Sequence, residues 1–393
     1  MEFYTLNPLT YDREVLIEEF ESAIWTERFI EAGDTRLVVP ATKKLVQLLA
    51  PGTLLSLKDS KEVMVLDTRE IENGTVTVTG KTIEAFFNER SIPEMNITET
   101  PRNIMMEIIA EMQSRSITYQ GSGFTQQFGY IPGLTTQSFV EDPNVTPITK
   151  KLVAGPAYSA LLELAQKYRV GMYVQRTTSG SGTHQLVFST YIGKDLSSVE
   201  DQSEFIRYYA NEMGSLVRFS PNLDNLANVK ELLSEVDFKN FVVIQPPTQS
   251  TPQIVNPMFR HNSNYGYLDL GASPFSKRYV EAGSDDLLDE VNDPVEFPSG
   301  WHTLLYNKMD DRAYVLMDQN LKTMIIDGEV TPDAVYKYGD HYRLGDLVEM
   351  EGYFGNQLKG TVSEYVRSQD GTGERAYPAV SVTTESGELA GAG

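Results

Sequence analysis

The sequence contains no cysteine, which removes disulfide scaffolds, thiolate metal sites and cysteine nucleophiles together. Histidine is nearly as scarce. The four, His184, His261, His302 and His341, stand far apart, and none has the close spacing of a zincin helix or a zinc finger. Long apolar runs are also missing. Val63–Leu66 and Phe241–Ile244 fall far short of the roughly 20 residues that cross a bilayer, so no membrane insertion is expected. The opening from Met1 to Pro8 has neither a basic start nor an apolar stretch, so no targeting peptide is expected there. Basic residues are in deficit: 33 Lys and Arg face 55 Asp and Glu, a formal charge of −22. Phosphate contact needs clustered Lys and Arg, which argues against general nucleic-acid or anionic-membrane binding. A negative surface suits a body that must not adhere to DNA, and ordinary solubility accounts for it equally well.

What is present is a foldable chain. Of its 393 residues, 40% are hydrophobic and 10% aromatic, enough for a sizeable core and too much for a disordered polypeptide. At roughly 100–200 residues per domain the length predicts two to four domains.

Residues 1 to about 95 alternate as strands with two short helices. Thr42 is placed to cap a helix whose Leu45, Leu48 and Leu49 share a face, and Pro51-Gly52 stops it. Strands are expected at Arg36–Val39, Leu54–Lys58 and Glu62–Asp67. Asn73-Gly74 accepts the positive φ of a type I′ turn and feeds the period-two strand Thr75–Thr79. Ile83, Phe86, Phe87 and Arg90 predict an amphipathic helix over a sheet. Thr100-Pro101 then opens a helix with the stripe Ile104, Met105, Ile108, Ile109 and Met112. Pro156 opens another, with Leu161, Leu162, Leu164, Ala165 and Tyr168 inside and Gly171 after its end. Residues 120–149 predict a long loop, and Ser179–Gly182 a hairpin tip between strands Met172–Arg176 and His184–Tyr191. Further on, strands are expected at Leu216–Phe219, Phe241–Ile244, Ala313–Met317, Thr323–Asp327 and from Tyr342 to about Val382. Val229–Val236 is open between strand and helix. Pro246–Pro257 is a candidate boundary. The expected class is β-dominated α+β.

Chemistry-bearing patterns are weak. Gly74 to Thr82 nearly spells a phosphate-binding loop, but five residues separate the glycines where that loop has four, and they alternate as a strand. The acids Asp285, Asp286, Asp289, Glu290, Asp293 and Glu296 lack the alternate-position carboxylates and central glycine of an EF-hand. Trp25 and Trp301 are expected in cores, as are Met105, Met106 and Met112. No catalytic, cofactor-binding or metal-binding residue stands out, so neither enzyme activity nor a cofactor is expected.

Several motifs together resemble a known family. They are Ser22–Asp34 followed by Leu37-Val38-Val39-Pro40; Leu49-Ala50-Pro51-Gly52; Val78–Glu84 leading to Arg90; Phe297-Pro298-Ser299-Gly300-Trp301; Tyr342–Val348; Val362–Arg367; and Gly373–Pro378. Asp237–Val243 is a weaker link. These segments resemble the minor tail, or tail-tip hub, proteins of long non-contractile-tailed actinobacterial phages. The likeness covers roughly 1–95 and 295–380.

The resemblance implies a structural virion protein at the phage tail tip. It would be a homotrimeric baseplate hub with two tail-tube-like antiparallel β-sandwich or barrel domains and two inserted peripheral α/β lobes. The domains implied are 1–95 for the first tube-like domain and 96–200 for one lobe. Residues 201–245 with 335–380 would form a discontinuous second tube-like domain, 246–334 the other lobe, and 381–393 a flexible tail. Three chains of two domains would present pseudo-sixfold symmetry to the hexameric tube and threefold symmetry to a central tip. Implied partners are the distal tail or tube protein, the tape-measure carboxyl terminus, tip or receptor-binding proteins, and passing DNA without specific binding. Tyr208-Tyr209 and Tyr265-Gly266-Tyr267 are candidate contacts. A tail-associated cell-wall hydrolase and a receptor- or carbohydrate-binding module, the latter using the 246–290 aromatics, are the alternatives.

Overall fold

The computed structural model describes residues 1–118, 125–141, 145–180, 182–197, 216–234, 236, 238–239, 241–247, 258–261, 278–287, 301–318, 320, 323–331 and 335–382. It is a β-dominated α+β fold with a large mixed sheet and few helices. Its described residues form two compact units. One comprises 1–227, 329–350 and 359–381, the other 228–328 with 351–358.

The first unit is organised by an eleven-stranded sheet. Its order is Arg218–Phe219, Leu347–Glu351, Gln357–Asp370, Ser22–Arg28, Asp34–Pro40, Thr75–Thr82, Val63–Glu72, Leu54–Leu57, Phe3–Leu6 and Arg13–Ile17, with Gly373–Val382 also paired to Gln357–Asp370. The turn chemistry sets the register. Asn73 and Gly74 have φ of 48° and 85°, and Glu72 faces Thr75 across the two-residue loop. Val76 and Val78 then point inward while their neighbours face out. With Phe3, Trp25, Leu37, Leu55, Met64 and Leu66 they form one apolar core. Thr42 caps the helix Lys43–Leu48 by accepting the Leu45 N–H at 3.2 Å, and Leu49 is buried beyond its end.

Gly80 shows why the near-match to a phosphate-binding loop is a strand. It lies in the Thr75–Thr82 ladder opposite Thr35 and Leu66, where an added Cβ would stand 2.5 Å from the Val65 carbonyl oxygen. Its amide therefore serves the sheet, and the absent side chain admits a neighbouring backbone.

A second apolar core in the same unit joins two helices to a three-stranded sheet. Helix Pro101–Ser114 starts at Thr100, whose hydroxyl accepts the Asn103 N–H and donates to Glu141 Oε2 at 2.7 Å. Ile104, Met105, Ile108, Ile109 and Met112 are all fully buried. Burial of each is worth roughly 1.5–3 kcal/mol, which fixes the face the helix presents. Helix Ala157–Tyr168 packs Leu161, Leu164 and Ala165 into the same core and ends at Arg169 in the left-handed region, with Gly171 following as expected. The sheet orders Leu134–Thr136, His184–Tyr191 and Gly171–Thr178. The segment expected as one helix at Ile83–Arg90 is a single α turn, Ile83–Phe86, followed by a 3-10 turn, Phe87–Glu89. Ile83 and Phe87 are buried, while Phe86 is exposed beneath the Arg90 guanidinium. Leu6, Tyr11 and Val63 share this core with residues 97–188, so the boundary expected near residue 95 is crossed by continuous packing.

In the second unit, Phe241–Ile244 lies between Met258–His261 (antiparallel) and Tyr279–Ala282 (parallel). The boundary expected near residue 246 thus falls inside a sheet. Arg218–Phe219 pairs with Leu347–Glu351, whereas Phe241–Ile244 does not join the large sheet. The open segment Val229–Val236 contributes to strand Leu226–Ser234, paired with Thr323–Val330. One expectation is corrected outright: Ala313–Met317 is not a strand but part of helix Trp301–Asp318. Leu305, Met309 and Ala313, one turn apart, are fully buried against Val242 and Ile244. The five-residue apolar run hid a 3.6-residue period that only the longer window reveals.

Candidate functional site

The first unit carries a cleft of about 860 Å³. Five tyrosines line it: Tyr173 from Gly171–Thr178, Tyr191 at the end of its paired strand, and Tyr336, Tyr338 and Tyr342 from the loop before Leu347–Glu351. Acidic lining groups are Glu27, Asp59, Glu62, Asp340 and Asp346; basic ones are Lys61, Lys194, Arg343 and Arg367.

The loop carrying three of the tyrosines is tied down at both ends. Asp346 accepts the Lys194 N–H through Oδ1 and the Arg343 N–H through Oδ2, each at 2.8 Å. Burial raises the Asp346 proton affinity, and those two amides oppose the rise. The His341 ring accepts the Lys337 N–H at 2.9 Å. The Tyr338 ring stacks on Tyr365 with centroids 3.7 Å apart and planes at 10°, and meets Tyr342 edge-on at 5.8 Å. Phe219 closes the back of the loop against Tyr336 and Tyr342. Burial pushes the hydroxyls of Tyr191, Tyr338 and Tyr342 well up, so all three are neutral donors at physiological pH.

Two glutamates at the cleft differ in partnership. Arg367 Nη1 donates to Glu27 Oε1 at 2.8 Å, with both side chains mostly buried, and the guanidinium carbon lies 5.1 Å from the Tyr365 ring centre. Glu62 reaches the cleft wall beside the bridge it makes to Gln175. Among the described residues its carboxyl has no hydrogen-bond or ion-pair partner; its amide N–H donates to Ser60 at 3.1 Å. The surrounding protein, then the Glu27 and Glu84 carboxyls, raise its proton affinity well above the ordinary carboxylate value. The hydroxyls of Tyr191 and Tyr338 also lack hydrogen-bond partners among the described residues.

Behind the cleft lies a buried acid the sequence did not single out. Strand Gly171–Thr178 is an edge strand of its sheet. Its outward N–H groups at 172, 174 and 176 donate in turn to the Phe29 carbonyl (3.2 Å), the Glu84 carboxyl and the Lys61 carbonyl (2.7 Å). Glu84 therefore completes an edge left incomplete by backbone alone. Its other oxygen, Oε2, has no partner among the described residues. Burial outweighs the hydrogen bonds from Thr82, its own amide and Val174, and pushes the Glu84 carboxyl up to about 7.

The singled-out residues do not converge. His184 hydrogen-bonds Thr178 at 3.0 Å, and His341 sits in the tyrosine loop; His261 lies in strand Met258–His261 and His302 in helix Trp301–Asp318. Trp25 is fully buried in the large-sheet core, beside Phe3, and its ring N–H has no partner among the described residues. Asp285 and Asp286 belong to the second unit, where Asp286 binds Arg312. The other four acids of that run, Tyr208-Tyr209, Tyr265–Tyr267 and Phe297–Gly300 lie outside the described residues, as does the tail beyond 382. Among the described residues no group of three or more His, Asp and Glu is arranged to hold a metal ion, and no helix is long and apolar enough to cross a membrane. A legible signal for the cleft was the run Tyr336-Lys337-Tyr338-Gly339-Asp340-His341-Tyr342, three tyrosines in seven residues.

Comparison with known proteins bears on the fold. Residues 3–106 match the family model described as Siphovirus ReqiPepy6 Gp37-like protein, in agreement with the tail-protein resemblance of the opening motifs. Among solved structures, the chain is similar to the 43 kDa tail protein of prophage MuSo2 from Shewanella oneidensis. The TM-score is 0.52 at 13% identity, covering 97% of this chain and 98% of that one. It also matches the tail protein from Neisseria meningitidis MC58 (TM-score 0.49, 11% identity, 97% and 96% covered). A third match is prophage tail protein gp18 from Listeria monocytogenes EGD-e (0.47, 11%, 98% and 95%). No curated protein matches. The fold is therefore that of the MuSo2 tail protein across nearly its whole length.

Proposed function

We propose that the protein is a structural component of a siphovirus tail, located in the virion at the baseplate or tail tip and without catalytic activity of its own. The observation that carries this is the agreement of two independent likenesses: the siphovirus family match over residues 3–106 and a fold shared with a phage tail protein over 97% of the chain. In the finer reading the chain is a homotrimeric hub. Its two sets of β strands, within 1–95 and within 201–245 plus 335–380, each supply one element to a ring, so that three chains imitate sixfold geometry. Pairing of Gln357–Asp370 with Ser22–Arg28 supports treating them as two halves of one body, because it joins the sets edge to edge. Contacts in such a ring run head to tail between unlike faces. The formal charge of −22 suits a conduit wall past which DNA slides. Above the ring would stand the distal tail or tube protein and the tape-measure terminus, and below it a central tip.

Gold-labelled antibody against the chain, applied to intact virions under the electron microscope, tests the location. Label at the tail tip is expected; label confined to the capsid, or none on virions containing the chain by mass spectrometry, refutes it. Averaged images of the labelled tip test the finer reading, which fails if the chain encircles no channel or is present in other than threefold multiples.

A further inference from the structure

We propose that the tyrosine-lined cleft of the first unit is a binding site for a neutral saccharide, with Glu62 and the hydroxyls of Tyr191 and Tyr338 as its hydrogen-bonding groups. The inference stands apart from the tail assignment, and it concerns different residues from the 246–290 aromatics expected to bind glycans.

Three observations select the ligand chemistry. The first is size: about 860 Å³ lies within the ~300–1,000 Å³ typical of small-ligand sites. The second is unspent hydrogen-bonding capacity. A carboxyl and two phenol hydroxyls meet the cleft without protein partners among the described residues, an arrangement that costs free energy unless water or a ligand completes it. The third is charge. Arg367 is engaged by Glu27, and Asp346 is held by two backbone amides. The lining has four basic and five acidic side chains, so its formal charge is within one unit of balance. A nearly balanced lining gives little net attraction to a cation or an anion. A sugar ring matches what remains. Its hydroxyls both donate and accept, so they can pair with phenol hydroxyls and with a carboxyl, and its C–H face packs on aromatic rings. The loop is preorganised by the Tyr338–Tyr365 stack and the Asp346 contacts, so little ordering opposes binding.

Saturation-transfer NMR on the full chain tests this with glucose, galactose, mannose, N-acetylglucosamine and maltose, against lysine, choline and N-acetylneuraminic acid as charged probes. Transfer to at least one neutral sugar at about 10 mM is expected. Glu62→Gln, which keeps a neutral hydrogen-bonding group, should hold the dissociation constant within about threefold; Glu62→Leu should weaken it about tenfold or more. Circular dichroism of both variants establishes that they fold, and if Glu62→Leu does not, Glu62→Ala replaces it. The proposal is overturned if no neutral sugar gives transfer, if only a charged probe does, or if a folded apolar variant binds as well as the original.

Discussion

Glu84 makes the stability of the first unit depend on pH in a direction opposite to that of most carboxylates. Its carboxyl is pushed from the ordinary 4.5 to about 7 because burial disfavours the charge more than the hydrogen bonds it accepts favour it. Between pH 4.5 and 7 the folded chain therefore holds a proton that the unfolded chain has released. Stability from this residue is complete below 4.5, falls as pH rises, and reaches its lower level above 7. At about 1.4 kcal/mol per pH unit, the fall amounts to roughly 3 kcal/mol. Glu84→Gln keeps an oxygen to accept the Val174 N–H and removes the titration. Urea unfolding at pH 5, 6, 7 and 8 measures it. The difference in unfolding free energy, variant minus original, should rise by about 2.5 kcal/mol from pH 5 to pH 8. The variant's own level at pH 5 does not matter, because an imperfectly placed amide shifts all four points together. Because the Glu84 carboxyl raises the Glu62 proton affinity, both proteins carry Glu62→Gln, which leaves Glu84 as the difference in titration between them. Parallel pH curves for the two proteins would show that Glu84 is ionised in the fold, and the account of the capped edge strand would be wrong.

Other perturbations have simpler outcomes. Gly74→Ala places a Cβ at a φ of 85° and should cost about 1–2 kcal/mol, read as a lowered urea midpoint with unchanged slope. Ile108→Ala empties a fully buried position and should cost about 2–5 kcal/mol in the same assay. Arg367→Met leaves Glu27 without its cation and should cost about 3 kcal/mol, whereas Arg367→Met combined with Glu27→Leu should recover much of the loss. A double variant no better than the single would mean the pair is too solvated to matter.

What the sequence revealed and what it concealed divide by distance along the chain. Asn73-Gly74, Thr42 and Thr100 act on residues two to four positions away, and each does in the structure what its chemistry predicts. The buried stripe of helix Pro101–Ser114 is likewise a local period. Helix Trp301–Asp318 was missed for want of window length, since its buried residues stand four apart while the apolar run that drew attention was five long. Near 95 and 246 the composition shifts, while core packing and strand pairing run across those positions.

Long-range contacts left no such local trace. Nothing in Ile83-Glu84-Ala85-Phe86 announces a buried acid, because its reason for burial is an unpaired amide 90 residues later in the chain. The same holds for the cleft, where Glu27, Glu62, Tyr191 and Tyr338 come from four separate segments. Their local sequences predict strands and turns, and the backbone satisfies those predictions completely. The surplus is chemical: the Glu62 carboxyl and the Tyr191 and Tyr338 hydroxyls meet the cleft without a partner among the described residues. These groups are half-buried, open to water or to a ligand. The polar groups at this cleft therefore point to a binding role, and their pairing with a ligand is the property that separates a site from a flaw in packing.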